Sequence, residues 1–139
     1  MSDMANTPPL IRIWPILVVG ATATAVFLGM NSLANQNTKT QVAVKMTSGD
    51  PSKAPLLMRR FGCAGCHAIP GVASADGLVG PPLSGLSERV YIGGVLVNSS
   101  ENLVEWIVSP EQFSPQTAMP TTGINSQEAR DVAAYLYAH

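Results

Sequence analysis

Residues 63–67 read Cys63-Ala64-Gly65-Cys66-His67, and they hold both cysteines of the 139-residue chain. C-x-x-C-H is the spacing at which haem is attached covalently. Two thiols one helical turn apart can each add across a haem vinyl group. The adjoining imidazole is then held beneath the iron, where its Nε2 can bind as the proximal ligand. Other uses of these residues fare worse. A thioredoxin-like dithiol would sit in an alternating strand–helix pattern, which the flanking sequence lacks. A structural zinc site needs four ligands, and beyond Cys63, Cys66 and His67 the chain offers only His139. A disulfide would close a strained two-residue loop and staple nothing. Haem is joined to such motifs outside the cytoplasm, so the five residues also imply a compartment.

Outward from the motif, the N-terminal side is unusually apolar. Charged residues are only 12% of the chain and the mean hydropathy is positive. With a net charge of −1 there is no basic footprint for nucleic acid. No ionisable side chain lies between Arg12 and Lys39. The nearly unbroken apolar run from Ile13 to Leu33 would span about 31 Å as a helix, close to the ~30 Å of a bilayer core. Trp14 stands at one end as an interfacial aromatic. The reading is a tail and transmembrane signal anchor over residues 1–34, a flexible tether over 35–50, and a haem domain over 51–139. A cleaved signal peptide is the alternative, with Ser32-Leu33-Ala34 as a tolerable cleavage site. Against it, the only basic residue before the run is Arg12, and the run exceeds the usual ~7–15 apolar residues. Lysines on the far side balance Arg12, so loop charge gives no orientation. The haem motif puts the C-terminal part outside the cytoplasm.

Within the haem domain three helices are expected. The first begins at Asp50-Pro51, an N-cap with proline at N1, and carries Ala54, Leu57, Met58 and Phe61. The second begins at Asn98 with Glu101 completing a capping-box variant, and presents Leu103, Trp106 and Ile107. The third begins at Asn125 or Ser126, with Asn125 and Glu128 again box-like. Val90–Val97 is apolar enough for a strand, but Gly93-Gly94 interrupts it and no hairpin is expected. The Pro70–Gly85 stretch is long for a loop in a compact domain; a large flat cofactor would explain it.

A low-spin haem iron needs a second axial ligand, and methionine sulfur raises its potential. Of six methionines, Met119 lies in a proline-rich loop between two helices, whereas Met58 suits packing. His139 is the rival and reads as an exposed terminal residue. At this point the haem domain resembles a class I cytochrome c. The resemblance rests on Cys63-x-x-Cys66-His67, on Gly80-Pro81-Pro82-Leu83-Ser84-Gly85, on Asn102-Leu-Val-Glu-Trp106-Ile-Val-Ser-Pro110, on Pro115-x-Thr117-x-Met119-Pro120 and on Asp131-Val-Ala-Ala-Tyr135-Leu136. It implies an all-α fold around one covalent haem c, with His67 and Met119 on the iron. It also implies a Pro81 carbonyl accepting from the proximal histidine, and Leu83 in the haem surround. One departure stands out: Ala54 and Met58 occupy places where the family usually has glycine and an aromatic.

Arg89 and Tyr91 could hydrogen-bond a haem propionate, and Trp106 reads as a haem-packing aromatic. Nothing supplies an enzyme's acid/base pair or activated nucleophile. From Ala54 onward four arginines face seven carboxylates, a net of −3, with no lysine. That predicts mainly apolar docking through Ile69, Pro70, Val72, Leu78 and Val79. The resemblance extends to cytochrome c modules of bacterial respiratory complexes. It therefore implies a single-pass inner-membrane electron carrier with an extracytoplasmic haem domain. Its partner would be an oxidase, a quinol-oxidising complex or a dehydrogenase. A soluble shuttle, or less readily a haem enzyme or gas sensor, is the alternative.

Overall fold

Helix α6 (Ser126–Ala138) begins where the sequence predicts. The Asn125 Oδ1 accepts from the backbone N–H groups of Gln127 at 2.9 Å and Glu128 at 3.0 Å. Glu128 Oε2 accepts from the Asn125 N–H at 3.1 Å, closing a reciprocal capping box. Ala129, Val132, Ala133 and Leu136 are buried on this helix, and α2 (Ala54–Arg60) and α4 (Ser100–Val108) both pack against it. The computed structural model describes the backbone of residues 9–139 and the side chains of residues 17–139. The remaining elements are α1 (Pro9–Thr47), α3 (Cys63–Cys66), a 3₁₀ turn (Leu86–Glu88), the strands β1 (Tyr91–Ile92) and β2 (Leu96–Val97), and α5 (Pro110–Phe113). The expected all-α architecture therefore holds, with one short antiparallel ribbon added.

The chain divides into two units between Asn37 and Thr38. In the first, α1 is long and apolar enough to cross a membrane. Its stretch from Leu17 reaches a mean hydropathy of 1.6 over an 18-residue window, none of it buried. The expected tail over residues 1–8 and the Arg12 and Trp14 side chains lie outside the described residues. The expected flexible tether over 35–50 needs correction, because α1 stays helical to Thr47. Its last turns, from Thr38, belong to the second unit. Ala43 and Thr47, one turn apart, are both buried there. Thr47 Oγ1 donates to the Ala43 carbonyl at 2.8 Å, and Arg130 Nη1 donates to the Thr47 carbonyl at 3.2 Å. Burial and a capped C-terminus hold as a helix a stretch whose polar composition reads as coil.

The first predicted helix starts later than Asp50-Pro51. The Asp50 carboxylate accepts from the Ser52 N–H (3.0 Å) and hydroxyl (2.6 Å), and these bonds hold it below its ordinary pKa. The Asp50 N–H in turn donates to the buried Asp131 at 2.7 Å. Residues 51–53 are thereby folded as a turn, and α2 begins at Ala54 with Pro55 in its first turn. Ala54 and Met58 are fully buried, so the departure from the family's usual pair leaves a close α2–α6 contact.

Two further expectations change. The second helix is capped by Ser99, whose hydroxyl accepts from the Asn102 N–H at 3.2 Å, rather than by Asn98. Asn98 Nδ2 instead donates to the carbonyls of Leu86 and Arg89, both at 2.8 Å, and its Oδ1 accepts from the Tyr137 hydroxyl at 2.7 Å. Val90–Val97 is a hairpin after all. Gly93 and Gly94 take φ of 57° and 77°, and the Val95 N–H donates to the Ile92 carbonyl at 3.1 Å. Positive φ at both central residues is what a primed turn requires, and glycine adopts it freely. Ile92 and Leu96 pair on the inner face, Tyr91 and Val97 on the outer.

Burial, with a smaller contribution from Glu101, pushes the Tyr137 phenol up to about 12 from an ordinary 10. Between those values the unfolded chain has lost a proton that the folded one keeps. Tyr137 therefore costs no stability below about pH 10, and stability falls as pH rises toward about 12. Thermal midpoints measured across that window should drop more steeply in the native protein than in Tyr137→Phe.

Candidate functional site

The Cys63–Cys66 turn leads into His67, whose backbone turns extended at φ −116°, ψ 142°. The segment after it is tied to this turn by backbone bonds. The Gly80 N–H donates to the Cys66 carbonyl at 2.8 Å, and the Leu83 N–H to the Ala68 carbonyl at 2.9 Å. The Ile69 N–H donates to the Ala75 carbonyl at 3.0 Å, and the Tyr135 hydroxyl to the Pro70 carbonyl at 2.7 Å. The long Pro70–Gly85 stretch is thus held on both sides of His67. It also brings the Pro81 carbonyl to 2.7 Å from His67 Nδ1. A carbonyl can only accept, so Nδ1 carries the proton and Nε2 keeps a free lone pair.

Gly80 makes this approach possible. A Cβ there would run into the imidazole ring at Cε1, Nδ1 and Nε2. Only the absence of a side chain lets the backbone lie against the ring.

All nine residues singled out by the sequence line one cavity of about 520 Å³: Cys63, Cys66, His67, Pro81, Leu83, Arg89, Tyr91, Trp106 and Met119. Its walls are mainly apolar. Met58 and Phe61 come from α2 and its end, Ile92 from β1, Leu103 and Ile107 from α4, and Val132 and Leu136 from α6. All three of these helix faces are legible from periodicity. Ile92, and Leu86 from the 3₁₀ turn, are not, because they enter through the hairpin and turn that the sequence does not declare. Met119 is half-buried in its loop, with its N–H donating to Thr117 Oγ1 at 3.2 Å.

The donor set fits a covalently held haem and little else. Cys63 and Cys66 are free thiols rather than a disulfide. Burial, with the neighbouring Cys66 adding to it, pushes the Cys63 thiol up, away from the thiolate that a redox dithiol would need. Among the described residues no group of three or more His, Cys, Asp or Glu side chains could hold a metal ion. An imidazole with a free Nε2, a thioether and two thiols converge on one apolar cavity.

The other candidates take the following places. Arg89 lines the cavity, but its Nη2 donates to the carbonyls of Pro82 and Ser84, the latter at 3.1 Å. Tyr91 lines the cavity from the exposed outer face of the ribbon. His139 stacks on Tyr135 with ring centroids 4.0 Å apart. Of the expected docking residues, Ile69 and Val72 are buried, at 4% and 6% exposure, because the loop folds them inward. Leu78 and Val79, at 91% and 75%, face solvent.

Residues 56–138 match the Cytochrome c family. Over 75 residues the chain is 37% identical to a cytochrome c oxidase subunit 2 of Alkalihalophilus pseudofirmus, a stretch covering 53% of this chain and 21% of that protein. The chain thus spans about a fifth of the length of that relative. No solved structure matches.

Gly80→Ala should destabilise the second unit by about 1–3 kcal/mol, because the ring and the Pro81 loop must part to admit a methyl group. Gly65→Ala, whose Cβ meets nothing within 4 Å, should change stability by less than about 0.5 kcal/mol. Denaturant midpoints of the two variants check the contrast.

Proposed function

This chain belongs to the cytochrome c family, and we propose that it is a membrane-anchored mono-haem carrier passing single electrons to or from a respiratory complex. The observation that carries the reading is the convergence of Cys63, Cys66, His67 and Met119 on one apolar cavity. When bound, the haem supplies a one-electron iron couple. Cys63 and Cys66 would hold it through thioethers, and His67 Nε2 and the Met119 sulfur would bind its iron. Pro81 fixes the imidazole tautomer and raises its basicity, since a histidine ligand's second N–H is oriented by its acceptor. Leu83, Trp106 and the apolar walls exclude water, which favours the less charged reduced state. With His67 and Met119 both on the iron, no place would remain for a substrate, and the chemistry would be electron relay.

The anchor belongs to the same proposal. Helix α1 has the length and hydropathy to span a bilayer, and C-x-x-C-H attachment puts the second unit on its extracytoplasmic side. An anchored carrier meets a partner in the same membrane at high effective concentration. The similarity to part of a cytochrome c oxidase subunit 2 favours a terminal oxidase or a related complex as that partner.

Docking follows from the exposed rim. Leu78 and Val79 are the most exposed apolar pair beside the cavity, and Val90 and Tyr91 flank it on the ribbon. No lysine lies in the chain after Lys53, so a lysine-ringed docking face cannot form. Electron exchange with the partner should vary by less than about twofold between low and physiological salt, where screening would weaken a charged encounter. A steep salt dependence in stopped-flow kinetics would rule out apolar docking.

The ligand assignment has a spectroscopic check. The ferric protein should show a weak near-infrared sulfur-to-iron charge-transfer band that Met119→Ala abolishes. The same variant should lower the midpoint potential, because methionine ligation raises it. A wild-type protein without the band would overturn the His67/Met119 assignment.

A further inference from the structure

The Gly80 and Leu83 N–H groups tie the loop that carries Pro81 to the Cys66 and Ala68 carbonyls. Between them Pro81 and Pro82 have no N–H, so the backbone of these two residues can be held only at its carbonyls. The Pro81 carbonyl accepts from His67. The Pro82 and Ser84 carbonyls both accept from Nη2 of Arg89, which has two hydrogens and uses both. A single guanidinium nitrogen thus grips the loop immediately after the carbonyl that faces the imidazole.

Arg89 is itself fixed. Asn98 Nδ2 donates to the Leu86 and Arg89 carbonyls, at 2.8 Å each, and the Asn98 N–H donates to the Val90 carbonyl at 2.9 Å. Tyr137 on α6 donates its hydroxyl to Asn98 Oδ1 at 2.7 Å, and the two carbonyls facing Nδ2, which can only accept, settle which end of the amide is oxygen. A continuous polar chain therefore runs from α6 to the imidazole: Tyr137, Asn98, Arg89, the Gly80–Gly85 loop and His67. The described residues leave no fully buried side-chain polar atom unpaired. The sequence reading assigned Asn98 to a helix cap and Arg89 to a propionate; neither assignment uses these bonds.

We propose that Arg89 is a positioning residue for His67, holding the Pro82 and Ser84 carbonyls so that the Pro81 carbonyl stays on Nδ1–H, with Asn98 and Tyr137 holding Arg89. The proposal rests on the reading in which His67 Nε2 binds the iron. A firm Nδ1–H···O bond makes the imidazole a stronger donor and favours ferric iron. Loosening it weakens the donor and raises the midpoint potential. The sign is diagnostic when charge is conserved. Arg89→Lys keeps the cation but loses the planar fork that can meet two carbonyls, and Tyr137→Phe removes only the hydroxyl at the far end of the chain.

The test uses the full-length haem-loaded protein with ¹⁵N-labelled histidine. Two quantities are read: the exchange rate of the His67 Nδ1–H with solvent, and the midpoint potential. Arg89→Lys should speed exchange by about tenfold, the size expected for losing one hydrogen bond, and should raise the potential. Tyr137→Phe should shift both in the same direction by less. Wild-type exchange and potential in Arg89→Lys, with only a lowered melting midpoint, would overturn the proposal. If Arg89→Lys fails to take up haem, Tyr137→Phe decides alone: unchanged exchange and potential overturn it, a shift in both supports it. The near-infrared band separates the two readings. Its absence from the wild type would overturn Met119 ligation, while Nδ1–H exchange would still report on Arg89.

Discussion

The bond of 2.7 Å between His67 Nδ1 and the Pro81 carbonyl joins segments 14 residues apart, and much of the second unit is arranged to permit it. The imidazole must leave the Cys63–Cys66 turn on extended backbone. The returning chain must lie flat against the ring, which only a residue without Cβ at position 80 allows. Consecutive prolines then stiffen the return but remove the N–H groups that would anchor it. Besides the Gly80 and Leu83 N–H groups, side chains distant in sequence supply anchorage. The orientation of the His67 ring thus also draws on residues beside the 3₁₀ turn, at the start of α4 and at the end of α6.

The same economy governs the edge of the unit where α1 joins it. Asp131 is buried, and its carboxylate accepts from the Asp50 N–H, with the Gln127 side-chain amide at 3.4 Å and Lys53 Nζ at 4.0 Å. Arg130, next to it, takes the Thr47 carbonyl. A buried carboxylate is tolerated only when its oxygens are engaged, and here they are engaged by backbone and side chains of residues 50–53 and by its own helix. The unit that folds around the cavity therefore begins at Thr38 rather than at Pro51. The last turns of α1, from Thr38, pack within it, with Ala43 and Thr47 buried.

What the sequence disclosed and what it withheld divide along a physical line. The C-x-x-C-H motif, the Gly80–Gly85 loop, the Met119 loop and the Asn125/Glu128 box are read within a few residues, because each encodes its chemistry locally. Seven of the nine candidate site residues fall on one cavity for the same reason: each belongs to a motif or a helix face, and the fold gathers motifs; Arg89 and Tyr91, read as propionate partners, line it too. The misreadings concern residues whose partners lie far off in sequence. Asn98 and Ser99 are both competent caps, and the choice between them is made by Tyr137, 39 residues away. Asp50 is a competent cap as well, but Asp131, 81 residues on, takes its N–H and leaves its carboxylate to Ser52. Residues 35–47 are rich in Asn, Gln and Thr, middling or poor helix formers. They stay helical because Ala43 and Thr47 find a surface to be buried on. Val72 reads as an exposed loop residue until the Ile69 and Ala75 backbones close the loop over it.

These distant contacts change how the exposed apolar residues should be understood. With Ile69 and Val72 inside, the exposed apolar residues at the cavity edge are Val79, with Leu78 before it, and Tyr91, with Val90 before it. Leu78 and Val79 precede Gly80 directly, so they ride on the segment that lies against the His67 ring. Val90 and Tyr91 follow Arg89 directly, so they ride on the segment whose guanidinium holds the Pro81 loop. Both halves of the rim are therefore covalently adjacent to the groups that orient the imidazole. A partner pressing on either half would act on backbone that the polar chain from Tyr137 holds in place. The reach of that pressure is limited by how firmly Asn98 and Arg89 grip. An electron carrier benefits from such stiffness, since surroundings that barely move between redox states add little to the barrier for transfer. The polar network and the apolar rim are thus two parts of one requirement: contact at the surface must not disturb the geometry beneath it.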